Sequence, residues 1–201
     1  MVAARGHGDT DTATRILDVA ERLAQERGFN GFSYANIAAK LGITKAALHY
    51  HFASKADLGE ALIGRYGERF GEALAAIDAS TSAAPAKLRG YAELYLDVLR
   101  ERRMCLCGML AAEYPTLPEA MRASVITFFD QNETWLQRVL EQGHADGSLQ
   151  LTAPPREIAR MIIGCLEGAM LVARPYGDIP RFQETAASLV SSLTSPSAVQ
   201  D

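Results

Sequence analysis

Apolar residues recur every three or four positions along almost the whole chain, and alternating strand-like runs are nearly absent, so the pattern predicts an all-α protein of about nine helices. In the first predicted helix, about Thr12 to Arg27, the residues Ile16, Ala20, Leu23, Ala24 and Arg27 share one stripe. Gly28 follows as a C-terminal cap, since glycine tolerates the left-handed conformation found there. Ser33 is placed to cap a short second helix that stops at Gly42, with Phe32 and Ile37 at the two positions of a hydrophobic staple. The device repeats at once. Thr44 caps a third helix, Lys45 to about His51, with Ile43 and Leu48 as its staple pair, and Ser54 with Asp57 starts a fourth. Two short helices joined at Gly42-Ile43 and braced by a longer one spell a helix-turn-helix.

Beyond residue 58 the helices lengthen. The fourth is expected to reach about Ile77, with 79–85 as a loop, and Leu88, Tyr91, Ala92, Tyr95 and Leu99 mark a fifth. A break near Arg102-Arg103 precedes the stretch Cys105 to Tyr114. A long helix is expected from Glu119 to about His144, another from Arg156 to Ala173, and a last one carrying Phe182, Ala186, Leu189, Val190 and Leu193. The expected division is residues 1–55, a helix-turn-helix domain with a disordered extreme N-terminus, and 56–201, a larger helical domain ending in a disordered Ser/Pro tail.

Charge sharpens this division. The whole chain of 201 residues carries −4, but residues 1–55 hold 7 Lys+Arg against 5 Asp+Glu, whereas 56–201 hold 13 against 19. The N-terminal part can face a polyanion while the acidic remainder stays off it. The polar N-terminus has no signal-peptide core, no apolar run is long enough to span a membrane, and three cysteines do not make a disulfide framework. A cytoplasmic protein with no membrane partner is expected.

The segment His49-Tyr50-His51 invites a metal or catalytic reading. Residues two apart on a helix project about 200° apart, so the two histidines cannot share one ion, and no Cys, Asp or Glu lies four residues from either on that helix. No nucleophile elbow, phosphate-cradling glycine loop or HExxH occurs in the chain, so no metal, cofactor or catalytic residue is expected. Helical spacing instead gathers Thr44, Lys45, Ala46, His49 and Tyr50 on an exposed strip, while Leu48 and Phe52 turn inward. A helix N-terminus lined with small residues can enter a major groove, with longer donors reaching phosphates on either side.

The run FSYANIAAKLGITKAALHYHFASKADL resembles the DNA-binding signature of TetR-family transcriptional regulators. The resemblance spans about 45 residues with the first helix included. It implies phosphate contacts from Ser33, Tyr34, His49, Tyr50 and Lys55, with Thr44, Lys45 and Ala46 nearest the bases of a double-stranded DNA operator. His49 departs from the tyrosine more usual in the family, and Ala46 replaces a common glycine. His51 lies nearer the core-facing side.

A protein of this kind is expected to bind a small-molecule effector in its C-terminal helices and to leave DNA in response, as a homodimeric repressor. Met109, Phe128, Phe129, Trp135 and Met161 are candidate pocket residues, together with Met104 and Met170. The small residues Gly164, Gly168, Ala169, Ala186 and Ala187 make the last two helices look like the family's dimer-forming pair. Arg102 and Arg103 precede Cys105, and a helix N-terminus there would lower a thiol pKa, so Cys105 or Cys107 is a candidate electrophile or redox sensor. Two other readings stand beside the effector-released repressor: a thiol-switched regulator, and a small-molecule-binding helical protein without DNA binding.

Overall fold

The computed structural model describes residues 6–195, with side chains from residue 11 onward. Among these residues the chain forms nine helices: α1 (Gly6–Arg27), α2 (Tyr34–Leu41), α3 (Lys45–His51), α4 (Lys55–Ser80), α5 (Ala84–Arg100), α6 (Leu106–Ala112), α7 (Glu119–Ala145), α8 (Pro155–Tyr176) and α9 (Ile179–Leu193). A single 3-10 turn, Tyr114–Thr116, follows α6, and Leu149 and Thr194 form an isolated bridge. The all-α expectation holds. None of the described helices is long and apolar enough to cross a membrane. The disorder expected at both ends falls outside the described residues.

Boundaries differ from the sequence reading in instructive places. Helix α1 starts at Gly6 rather than Thr12. Its expected stripe is buried at Ile16, Ala20, Leu23 and Ala24, but Arg27 is exposed. Helix α8 runs past the expected stop at Ala173 and takes Pro175 into its last turn before Gly177 caps it at φ 61°. Asp178 then caps α9, its carboxylate accepting from Arg181 N at 3.2 Å, a start signal that the sequence reading missed.

The chain divides into two compact units. The first runs to Gly67 and also takes in Leu106–Ile126, and the second comprises Glu68–Cys105 and the chain from Thr127 on. In the first unit Ile16, Leu23, Ile37, Leu48, Leu58 and Leu62 form a core from which water is excluded. Glu113 is built into this unit. Its carboxylate accepts from Phe29 N at 2.7 Å and from Asn30 N at 3.2 Å, and Asn30 Nδ2 donates to Thr116 Oγ1 at 2.7 Å. Gly28 has φ 84°, and a Cβ there would collide with the Glu113 carboxylate, so the turn needs glycine for backbone conformation and for space.

In the second unit α5 packs on α8 and α9, which also pack on each other. Leu88, Tyr91, Tyr95, Ile162, Leu166, Met170, Phe182, Val190 and Leu193 are all buried in it. The expected loop 79–85 is shorter, since α4 runs to Ser80 and α5 begins at Ala84; Pro85 and Pro155 occupy first-turn positions where no backbone N–H is needed.

Candidate nucleic-acid interface and effector interior

Helix α3 has only seven residues and relies on its ends and its one buried side chain. Thr44 Oγ1 accepts from Ala47 N at 3.1 Å, which caps the N-terminus. Leu48 is fully buried and Ile43 half-buried, as the staple requires. Gly42 turns the chain between α2 and α3 at φ 67°. With the inner side fixed, Thr44, Lys45, Ala46, His49 and Tyr50 are left exposed, and Tyr50 is 75% exposed. Beside them lies an open groove of about 350 Å³, lined by Phe32, Ser33, Tyr34, Ala35, Lys45, His49 and Lys55.

Two residues of the expected phosphate-binding set are turned to other work. Lys55 donates from Nζ to Phe29 O at 2.6 Å and to Phe32 O at 2.5 Å, and lies 4.6 and 4.5 Å from the centroids of those two rings. Burial pushes its pKa below the ordinary lysine value, against the opposing pull of Glu113. Two of the three ammonium donors thus tie the start of α4 to the turn after α1, while the side chain also lines the groove beside α3. Tyr34 is buried as well. Its hydroxyl is 2.6 Å from Ser54 O and 2.9 Å from Phe52 O, and burial, with the Asp57 charge adding to it, pushes the phenol up to about 12. It braces the connection from α3 to α4.

Tyr34→Phe is therefore expected to cost about 1 kcal/mol of stability, the worth of one hydrogen bond, read as a lower midpoint in thermal unfolding. Unchanged stability with weakened DNA binding would return this hydroxyl to the phosphates.

Ser33 Oγ donates to Asn36 Oδ1 at 2.9 Å, and Ser33 N donates to the same oxygen at 2.8 Å. The His49 ring lies 4.8 Å from the Tyr34 ring, and Nδ1 is 3.0 Å from Ala53 O. A carbonyl can only accept, so the His49 proton resides on Nδ1, and Nε2 becomes a donor only when the ring is protonated. The Ser54–Asp57 box forms in full, with Ser54 N donating to Asp57 Oδ2 at 2.9 Å and Asp57 N to Ser54 Oγ at 3.1 Å.

In the second unit the structure brings only some of the expected pocket residues together. Phe128 and Trp135 are buried in an aromatic cluster: Trp135 stacks on Tyr91 at 5.7 Å, and Phe70 meets Phe128, Tyr91 and Tyr95 edge-on at 5.2, 6.0 and 6.2 Å. Phe129 packs edge-on against Phe128 and is half-buried. Met161 is 46% exposed, which corrects its reading as a pocket residue, and Met109 belongs to the first unit. A cavity between α5, α8 and α9 holds about 10 Å³, room for no more than one water.

The polar partners inside this cluster were missed. Asn132 is buried and bonded to Tyr91, and Glu167 accepts a hydrogen bond from the Cys105 thiol. The four-residue spacing of Tyr91 and Tyr95 was the available signal, because it stacks two hydroxyls on one helix face. Cys105 and Cys107, the candidate thiol sensors, are both buried, and Cys105 has the Glu167 carboxyl as a neighbour. Arg103 pairs with Glu101. Among the described residues no group of three His, Cys, Asp or Glu is arranged to hold a metal.

A short capped helix with one solvent-facing strip, carried by a compact helical module and followed by a separate helical unit, defines a helix-turn-helix transcriptional regulator. Residues 16–62 match the model of the bacterial regulatory proteins of the tetR family, and residues 84–189 match that of the Tetracyclin repressor-like C-terminal domain. The transcriptional regulator AcuR of Cereibacter sphaeroides is 31% identical over 85% of this chain and 80% of its own. A TetR-family transcriptional regulator from Agrobacterium tumefaciens, known as a crystal structure, is 33% identical, covers 93% of this chain and 100% of its own, and superposes with a TM-score of 0.90. The reduced form of Escherichia coli NemR, 22% identical with 92% of this chain and 99% of its own covered, shares the fold with a TM-score of 0.79. The chain belongs to the TetR family, whose members are ligand-responsive DNA-binding transcriptional regulators.

Proposed function

We propose that the protein is a cytoplasmic homodimeric repressor that binds a pseudo-palindromic operator and leaves it when a small molecule enters the second unit. It acts by binding, without catalysis. The observation that carries this reading is the exposed strip of α3, capped by Thr44 at one end and anchored by Leu48 beneath. Thr44, Lys45 and Ala46 face the bases, with the Ala46 methyl suited to a thymine methyl. Tyr50 donates to phosphate, Ser33 reaches it by rotating its hydroxyl away from Asn36, and His49 contributes when its ring is protonated.

Dimerisation brings two such helices to successive major grooves. Along α8 the exposed positions Met161, Gly164, Gly168, Leu171, Val172 and Pro175 fall at helical spacing on one stripe, with Leu171 62% and Val172 52% exposed. An apolar stripe with two glycines suits close approach of a symmetry-related helix.

The test is binding to an operator library at two salt concentrations. Lys45→Ala and Ala46 variants are expected to change the preferred bases, each good base contact being worth about 1–3 kcal/mol of discrimination. Tyr50→Phe should weaken all sequences alike. A Leu171→Asp, Val172→Asp variant should sediment as a monomer and lose the palindromic site while staying helical. An unaltered base preference in the Lys45 and Ala46 variants would falsify this docking of α3.

A further inference from the structure

The groove beside α3 gathers two cations and a histidine. Lys45 and His49 enter it from α3, Ser33 and Tyr34 from the start of α2, and Lys55 from the start of α4. Histidine changes charge between about pH 5 and 8. The His49 ring is held twice: Nδ1 lies 3.0 Å from Ala53 O, and the ring packs on Tyr34 with 4.8 Å between centroids. Tyr34 is itself fixed by its hydroxyl on Ser54 O and Phe52 O. Since a carbonyl only accepts, the neutral ring keeps its one proton on Nδ1 and offers a bare lone pair at Nε2. A DNA phosphate oxygen is also an acceptor, so the two repel. Moving the proton to Nε2 sets the Nδ1 lone pair against Ala53 O instead. A second proton resolves both conflicts. The imidazolium donates from Nδ1 to Ala53 O and from Nε2 to the phosphate, the latter as a charge-assisted bond.

We propose that a proton is a co-ligand of DNA binding: each His49 takes one up as its Nε2 meets a phosphate, so operator occupancy rises as pH falls. This deepens, and rests on, the DNA-binding reading above. The groups around the ring are consistent with uptake on binding. Among the described residues no carboxylate lines the groove, so the anion that retains the proton arrives with the DNA. The phosphate meets Lys45 and Lys55 in the same groove. From α2 the ring faces the Tyr34 phenol, which stays neutral in this range because burial pushes it up to about 12. From α4 the Asp57 carboxylate is occupied by Ser54 N at 2.9 Å. His51 packs edge-on against Tyr50 at 5.2 Å and lies outside the groove lining.

The experiment is titration of the full chain with the duplex recovered from the operator library, at pH 6, 7 and 8 and two salt concentrations. Uptake of one proton per chain raises affinity by at most about tenfold per His49 for each unit fall in pH. For the dimer, a gain of about tenfold or more is expected between pH 8 and 6. The salt slope should steepen toward low pH by up to about 0.9 per ring, because each new ionic phosphate contact releases counterions. Calorimetry in two buffers of different ionisation enthalpy counts the protons directly. His49→Tyr, which keeps a ring and a neutral donor, and His49→Gln should lose both the pH response and the proton uptake. His51→Gln should keep them, and circular dichroism at each pH confirms that all variants are folded. A wild-type pH response in both His49 variants overturns the proposal, as does a wild-type affinity that is flat from pH 8 to 6. Either result leaves the DNA-binding reading standing. Absence of binding to every library duplex at every pH overturns both.

Discussion

Replacing Leu48 by Ala is expected to cost 2–5 kcal/mol and to abolish operator binding, because this side chain is the only fully buried residue on the seven-residue helix α3. A helix of two turns has no stability of its own, so its seat on the module is also its structure. The loss should be local. Amide hydrogen exchange is expected to quicken across α2 and α3 while α8 and α9 stay protected. Leu48→Met, which conserves volume, should lose less than about 1.5 kcal/mol and keep operator affinity. Wild-type DNA affinity in Leu48→Ala would mean that α3 is held by something other than its core contact.

The second large effect concerns pH. Burial pushes the Glu167 carboxyl up to about 7 from an ordinary 4.5, with the Cys105 hydrogen bond working in the opposite direction. Folding therefore favours the protonated acid. Stability from this group is fully present below about 4.5 and is lost as pH rises through 7, which amounts to roughly 3 kcal/mol between those limits. Glu167→Gln, which cannot ionise, should be more stable than wild type at pH 8 by an amount of that order, with the difference shrinking toward pH 4.5. Urea unfolding at several pH values measures it. A constant difference between the two proteins across this range would show that the carboxyl titrates as an ordinary surface group.

In the first unit, Lys55 and Glu113 bind the turn after α1 from two directions, the ammonium on the carbonyls of Phe29 and Phe32 and the carboxylate on the amides of Phe29 and Asn30. That turn precedes α2, so its geometry sets where the helix-turn-helix begins.

Features governed by neighbours in the chain were legible before any coordinates. Caps at Thr44 and Ser54, the helix-ending glycines at 28 and 42, and the staple around Leu48 depend on residues within about five positions, and all of them take the expected form. The same holds for the nine helices, whose apolar spacing is a local signal. Side-chain destinations are another matter. Lys55 finds carbonyls 26 and 23 residues back, Tyr34 finds carbonyls 18 and 20 residues on, and Glu113 reaches an amide 84 residues away. Family resemblance assigned the first two to phosphates, and both also bond within the module, because a half-buried donor takes the acceptor that packing places beside it. Glu167 carried no sequence signal at all. A glutamate among glycines on a helix looks solvated until neighbouring helices close over it, and only then do the low dielectric and the missing partner make it reactive to charge.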